Sequence, residues 1–419
     1  MRKDSLAVVG SGIAGLTAAY LLQRRYDVTI YESTERLGGH THTHDVVTPD
    51  AGIVPIDSGF IVHNQRTYPL LCQLFTELGV ETRPTEMSMS VKCQGCGLEY
   101  AGAKGLRGVF AQPRTLFNVA FLHLLSQVPR FYRDARRVIE RGTDEVSLGD
   151  FLTTGGYSDY FTSHFVVPIV SCVWSVAPRT ALQYPARYLF VFLQNHGMLS
   201  LSGSPTWRTV VGGSRTYVDL IAKNLSTVAT STPVRSMTED VDGVTVTTDD
   251  DHGIHFERAV IATHADTALA LLARPSELQR SVLGSFHYSP NEVCLHTDAS
   301  ILPRNERSRA AWNFSLTSCD GEGECATVSY DMNRLQGVAS RQDHVVTLNS
   351  GARVDPDRVV ATMLYEHPIY TAESLAAQGR LSNLNGPRLA FAGAYHGWGF
   401  HEDGCRSGVE AARALGVSW

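Results

Sequence analysis

Two glycine clusters and one carboxylate near the start of the chain have the spacing to hold a phosphate-bearing nucleotide. In Gly10-Ser11-Gly12-Ile13-Ala14-Gly15, the first glycine permits a tight turn, the second lets backbone approach a pyrophosphate, and the third lets a helix cross a strand closely. Helix N–H groups opening just beyond Gly12 would face the anion. Glu32 lies 22 positions past Gly10, where a carboxylate can accept both hydroxyls of a ribose. A second glycine turn, Arg36-Leu37-Gly38-Gly39-His40, follows at once. The two turns in series, with Glu32 between them, imply FAD.

These residues need a βαβ frame, and the sequence supplies one. Leu6 to Val9 is a short apolar run suited to a buried parallel strand, residues 14 to 24 carry small and aliphatic residues without proline, and Val28 to Tyr31 reads as a second strand. Further on, Asp57 to Val62 reads as a turn leading into an apolar strand, and Leu70, Leu71, Leu74 and Leu78 have helical spacing. Residues 85 to 205 are rich in aromatics and apolar helical stretches. Residues 241 to 249 alternate as Val241, Val244 and Val246 among polar partners, and residues 259 to 263 read as another buried strand. Residues 270 to 385 are strand-rich, with Val293, Leu295, Ala326 to Val328 and Val345 to Leu348; Leu389 to Ala394 ends a strand in small residues, and a helix runs from near Cys405 to Leu415. The pattern predicts an α/β fold in which a Rossmann-like FAD-binding domain (1–84, 205–268, 386–419) is interleaved with an α+β substrate domain (85–204, 269–385).

Composition narrows the partners. A chain of 419 residues with 43% hydrophobic content can bury a large core, and a formal net charge of -6 gives no electrostatic case for nucleic acid. The start, Met1-Arg2-Lys3-Asp4, shows no cleavable apolar leader, and the eight cysteines are scattered, so a reduced, cytoplasmic setting is expected. The longest apolar candidates, 115–128 and 165–178, are broken by His123, Ser126, Pro168 and Ser171, which suits core or substrate-tunnel helices. Arginines among aromatics in residues 129–141 read as a solvated helix face, with peripheral contact to an anionic membrane as the minor alternative.

Three other constellations lie in the chain. His40, His42 and His44 would share one face if extended, but no carboxylate or cysteine is placed to complete a metal shell. The better reading puts this turn beneath the cofactor, with one imidazole bonding a phosphate or the ring. Cys93-Gln94-Gly95-Cys96 sits on an expected hairpin, and an adventitious or reversible disulfide is favoured over zinc. No metal site is expected. Ser204 lacks the flanking glycines of a nucleophile elbow, so the chemistry is left to the flavin.

The motifs together resemble the flavin-containing amine oxidase superfamily, which includes monoamine oxidases, protoporphyrinogen oxidase and phytoene desaturases. The resemblance rests on Val8 to Gly15, on Glu32 with Arg36 to Thr41, on Asp57-Ser58-Gly59, on Thr232-Pro233-Val234, on Phe391-Ala392-Gly393 and on Gly404 to Gly408. Within it, Gly38 to Thr43, Trp207 to Ser214 and Gly397 to Gly404 resemble a bacterial subgroup known as predicted NAD/FAD-binding proteins, often associated with cyclopropane-fatty-acid-synthase-like enzymes. The resemblance implies a glutathione-reductase-like FAD domain. It also implies that Gly10, Gly12, Ile13, Ala14 and Gly15 hold the pyrophosphate, Glu32 and Ser33 the ribose, and Arg36, Gly38, Gly39, His40 and Thr41 the second phosphate-side loop. Val234 would meet the adenine edge through its backbone, and Gly59, Phe60, Ile61 and Val62 would pass the isoalloxazine. Gly393, Ala394, Gly404 and Cys405 would complete the flavin end, where a helix N-terminus favours the negative charge that builds at N1–C2=O.

The chain departs from the superfamily at two places, having His40 for an arginine and Ala394 for an acid. The resemblance places Tyr395, Trp398, Phe400 and His401 beside the ring, with His401 as the proton-transfer group on its ordinary pKa of about 6.5. Trp174, Tyr188, His196 and Trp207 are further candidates for the substrate side. Many amine oxidases keep a lysine near flavin N5, and this chain has none beside these motifs. The expected activity is therefore hydride abstraction from a C–H bond of a hydrophobic, acyl- or lipid-like substrate by a dehydrogenase or desaturase. The alternatives are an amine or amino-acid oxidase, a double-bond isomerase, and last a flavin- or lipid-binding protein without turnover.

Overall fold

Strand Ser5–Val9, helix Ile13–Leu22 and strand Asp27–Tyr31 form the expected βαβ unit, and the two strands pair in parallel with Val9 opposite Tyr31. The computed structural model describes residues 3–142, 146–200, 203–249, 252–320 and 326–419. The unit belongs to a parallel sheet of five strands, ordered Thr227–Ala229, Asp27–Tyr31, Ser5–Val9, Arg258–Ile261 and Leu389–Phe391. Its middle strand is apolar from Leu6 to Val9 and inaccessible at Leu6, Ala7 and Val8, as a strand covered on both faces must be. The strands end level at Val9, Tyr31, Ile261 and Phe391, so the turns at Gly10, Glu32, Ala262 and Ala392 gather along one carboxyl edge. In open α/β sheets that edge is where ligands bind.

One face of this sheet is covered by the first helix and by the last, His401–Ala414. The two cross closely because the last helix has glycines where they touch. A Cβ at Gly404 would strike Ile13 Cγ2 at 2.6 Å, and one at Gly408 would strike the Ala14 carbonyl oxygen at 2.4 Å. The opposite face is covered by helices Ala265–Leu271 and Glu277–Leu283 and by residues 377 to 384. Leu271, Val282, Phe286, Ala377 and Leu381 thus pack with the nucleotide-binding core, although the sequence reading gave 269–385 to the second unit.

The second unit rests on a seven-stranded mixed sheet: Val359–Ile369, His287–His296, Val345–Leu348, Thr327–Asp331, Trp312–Leu316, Met89–Cys93 and Glu99–Ala101. The expected hairpin carrying Cys93 and Cys96 is present, joining the last two of these strands. Against the sheet lies a helical layer with Val119–Arg141, Val167–Trp174 and Ala186–Asn195. No helix among the described residues is long and apolar enough to cross a membrane.

Residues 59–62 differ from expectation. They form a loop, because Ser58 N and Phe60 N donate to the His42 and His40 carbonyls and bind this stretch to the glycine turn. Asp57, at the end of strand Gly52–Asp57, anchors the junction. It accepts from Ser214 N, Ser214 Oγ (2.8 Å), Thr43 Oγ1 (2.5 Å) and Gln336 Nε2 (2.8 Å).

Gly408→Val should force the last helix off the first, costing about 1–3 kcal/mol as overpacking does. Thermal melting should show a lower Tm, with weaker flavin retention. An unchanged Tm would exclude the close crossing as a source of stability.

Candidate active site

At the carboxyl edge of the parallel sheet, backbone geometry does the first part of the work. Gly10 has φ +99°, and a Cβ there would press on the Ala262 carbonyl at 2.7 Å, so only glycine fits. Gly12 begins the first helix in extended conformation with no side-chain cap, and a Cβ added to it would meet nothing within 4 Å. The helix N-terminus is thus uncapped by any side chain, which suits a phosphate. The second glycine turn folds over it, a Cβ at Gly39 lying 3.2 Å from Gly12 Cα. Gly38, in the same turn, donates its N–H to the Ser11 carbonyl.

Glu32 stands at one end of this groove. Burial alone would raise its pKa, but donation from Ser11 (Oγ 2.5 Å, N 3.2 Å) and from Thr34 N (3.0 Å) outweighs it and keeps the carboxylate ionised. Ser33 Oγ adds a bond at 3.2 Å. Residues leading to Val234 flank the same carboxylate, through Glu32 N to Ala229 O and Thr232 N to Glu32 O. An uncapped helix start, an ionised acid one strand away and a bordering backbone segment fit an adenosine diphosphate moiety. Arg36 has a different place from the one expected. Its guanidinium donates to the carbonyls of Gly39 (2.7 Å) and Thr41 (2.9 Å), so it braces the turn from within.

The three alternating histidines separate. The His42 and His44 rings lie 3.9 Å apart, bonded to Tyr365 Oη and Ser58 Oγ. His40 sits in the turn before the strand and points elsewhere, its ring 5.0 Å from Tyr365, 5.4 Å from His367 and 6.3 Å from His264. Nothing local in the sequence linked these last two histidines to the glycine turn.

The late segment divides likewise. Trp398 and Phe400 join an aromatic wall with Trp174, Tyr188, Phe192, His196 and Trp207. Phe192 stacks on Phe400 at 4.9 Å and lies 4.7 Å from Trp174, while Tyr188 is 5.9 Å from Trp398. Trp174 Nε1 donates to the Trp398 carbonyl and Tyr188 Oη to that of Gly397, fixing the wall to the turn. Phe192 was missed, yet Tyr188, Phe192 and His196 recur every four residues, a stripe legible as one helix face. Tyr395 is not part of this wall. It is buried in the core on the other side of the sheet, against Phe286.

The last helix starts at His401, a turn earlier than Cys405 suggested. Cys405 is buried between helices, and Gly404 lies against Ile13. Gly393 takes its amide bond to Ser407 Oγ, and Ala394 opens a short turn. His401 lies against Phe60 (3.7 Å, nearly parallel) and bonds Thr41 Oγ1 at 3.0 Å, with Tyr217 Oη at 3.4 Å. Burial lowers its pKa to about 3, so it is neutral at physiological pH and does not titrate near 6.5 as expected. The CxxC cysteines are both free, and Cys319 and His164 stand beside them.

The description "flavin containing amine oxidoreductase" matches residues 13–317. The chain belongs to that family. It is an FAD-dependent oxidoreductase with the family's mixed α/β architecture. A segment of 114 residues is 30% identical to the flavin-dependent L-tryptophan oxidase of Lentzea aerocolonigenes, a match covering 27% of this chain and 18% of that enzyme. Cyclohexylamine oxidase from Brevibacterium oxydans shares the fold across 98% of both chains, with 18% identity and a TM-score of 0.69. A fatty acid isomerase from P. acnes does so across 99% of both, with 14% identity and a TM-score of 0.68. Fold is therefore common to relatives of quite different chemistry.

Buried histidines dictate an acid response. Burial holds His42 and His401 near about 3, and His63, His196, His296, His367 and His396 near about 4. Each takes up a proton below about 6.5 only on unfolding, so its stability is full above that pH and lost as pH falls. Burial raises Asp57 and Asp403 to about 6 and Glu402 to about 7, and these three lose stability as pH rises. Seven histidines outweigh three carboxyls, so Tm should fall steadily from about pH 7 to about pH 5. A flat Tm over that interval would contradict the neutral burial of these rings.

Proposed function

We propose that the protein removes a hydride from a C–H bond of a hydrophobic, acyl- or lipid-like substrate, as a dehydrogenase or desaturase. The aromatic wall of Trp174, Tyr188, Phe192, Trp398 and Phe400 carries this reading, since it offers apolar surface and no charged side chain in its ring contacts. Trp398 Nε1 is buried without a partner among the described residues and gives the wall one N–H for an acceptor on the substrate. The chain's lysines stand elsewhere: Lys3, Lys92 and Lys104 donate to the carbonyls of Gln23, Leu302 and Arg309, and Lys223 follows helix Arg215–Ala222.

In this reading Gly10, Gly12, Ile13, Ala14 and Gly15 receive the pyrophosphate, with Gly38, Gly39 and Thr41 closing the groove. Glu32 and Ser33 receive the ribose, and Val234 borders the adenine. FAD supplies a two-electron acceptor. Gly59, Phe60, Ile61 and Val62 and the start of the last helix border its reactive end, where the helix dipole favours developing negative charge. His401, neutral and tied to Thr41, orients this end and carries no imidazolium proton to give the substrate. Phe400 and Trp398 position the substrate and exclude water.

The names of the relatives favour a second reading, oxidation of an amine or amino acid, and the isomerase keeps return of the hydride in play. Anaerobic mixing of the yellow holoenzyme with unsaturated or methylene-bearing lipids should bleach the flavin. Bleaching by amines alone would overturn the lipid reading. Phe400→Ala should raise KM for the bleaching substrate about tenfold, equivalent to about 1.4 kcal/mol, with FAD content unchanged. Glu32→Ala should instead lower the FAD bound per chain, measured by absorbance after gel filtration.

A further inference from the structure

Outside the flavin region, four ligand-type side chains converge from three distant segments. Cys93 ends strand Met89–Cys93, Cys96 lies in the following turn, Cys319 comes after strand Trp312–Leu316, and His164 sits in the helical turn Thr162–Val166. Their sulfur and imidazole atoms all lie within 4.8 Å of one another. We propose that Cys93, Cys96, His164 and Cys319 bind one zinc ion in a structural Cys3His site.

The spacing fits a tetrahedral ion. Zn–S bonds of about 2.3 Å place two ligand sulfurs about 3.8 Å apart, and a Zn–N bond of about 2.0 Å places sulfur and nitrogen about 3.5 Å apart. Cys93 Sγ and Cys319 Sγ are separated by 3.8 Å, and Cys96 Sγ and His164 Nε2 by 3.7 Å. A disulfide would need two sulfurs near 2 Å and would leave the third thiol and the imidazole unused.

The imidazole is turned for coordination. His164 Nδ1 lies 3.1 Å from the Tyr160 carbonyl, which can only accept, so Nδ1 carries the hydrogen and the Nε2 lone pair faces the sulfurs. Tyr160 also stacks on the ring at 3.9 Å and places its hydroxyl 3.6 Å from Cys96 Sγ. The π-helical turn that carries His164 is a rare element, frequent at functional sites. On the hairpin, Gly95 lets the knuckle reach Cys319, since a Cβ there would lie 3.1 Å from Cys319 N, and Gly97 reverses the chain at φ +70°. Cys93 and His164 are buried while Cys96 is exposed, so the ion has a way in from solvent.

Such a site would clamp the edge of the seven-stranded sheet to the helical layer. The turn bearing His164 runs directly into helix Val167–Trp174, whose last residue is in the aromatic wall, so the ion would brace that wall from behind. This role is independent of the flavin reading.

Holoenzyme produced with zinc in the medium should contain about one zinc per chain by mass spectrometry of metals. Stripping FAD should leave the zinc in place. Titration of the native protein with a mercurial should release that zinc as thiols react, and cobalt in its place should show sulfur-to-cobalt charge-transfer bands. Cys96→Ser/Cys319→Ser should reduce zinc to near zero, with FAD content read separately. The proposal is overturned by zinc-free holoenzyme, by a disulfide among these cysteines in peptide mapping, or by zinc retained in that double variant. If the variant does not fold, mercurial release and the cobalt spectrum decide the question on the unmodified chain.

Discussion

The close crossing of the first and last helices is the constraint on which the rest of the molecule depends. Gly404 and Gly408 have no side chain where Ile13, Ala14 and Thr17 press, so the chain's final helix begins beside the chain's first glycine turn. That contact sets where Phe400 and His401 stand. Glycine within a helix is intrinsically unfavourable by about 1 kcal/mol, and its presence at both contact positions shows that proximity outweighs propensity here. The seam also explains why Cys405 is buried and inert, with burial pushing its thiol up to about 12.

A second theme is how polar groups are kept inside. Asp57 sits fully buried at the meeting of four segments, and its oxygens are met by Ser214, Thr43 and Gln336. Buried carboxyl groups are tolerated when donors surround them. Several histidines follow another rule, held neutral in partly or fully buried places against aromatic rings: His196 against Phe192, His264 against Tyr288, His401 against Phe60. These imidazoles act as flat, weakly polar packing surfaces. The flavin region is therefore lined largely by uncharged groups, with Glu32 ionised at the adenosine end and the Arg36 guanidinium turned onto backbone carbonyls.

Legibility in the sequence follows the range of the interactions. The βαβ unit, Glu32 and the glycine turns were readable because their geometry is set within about thirty residues. The strand-rich second sheet was readable from short apolar runs such as Val345 to Leu348, and the Cys93 hairpin from its glycines. By contrast, the loop at 58–60 takes its hydrogen bonds from residues 40–42, so its apolar run became a loop rather than a strand. Arg36 looked like a phosphate ligand because its type allows it, while its two terminal nitrogens in fact bind nearby carbonyls. His164 and Cys319 lie 68 and 226 positions from their sulfur partners, beyond any local pattern. Tyr395 failed for a simpler reason: the short turn Ala394–His396 sends its ring into the core against Phe286, away from Trp398 and Phe400.

The parallel sheet has a temporal meaning as well. Its five strands come from residues 5–31, 227–261 and 389–391, and the helix that seals one face is the last element of the chain. The adenosine-binding half needs the chain only as far as strand Arg258–Ile261, while the half facing the reactive ring also needs helix His401–Ala414. Loop closure over such separations is slow, and the intermediate exposes apolar strand surface. The two ends of the dinucleotide are thus held by parts of the chain that come together at different stages of folding.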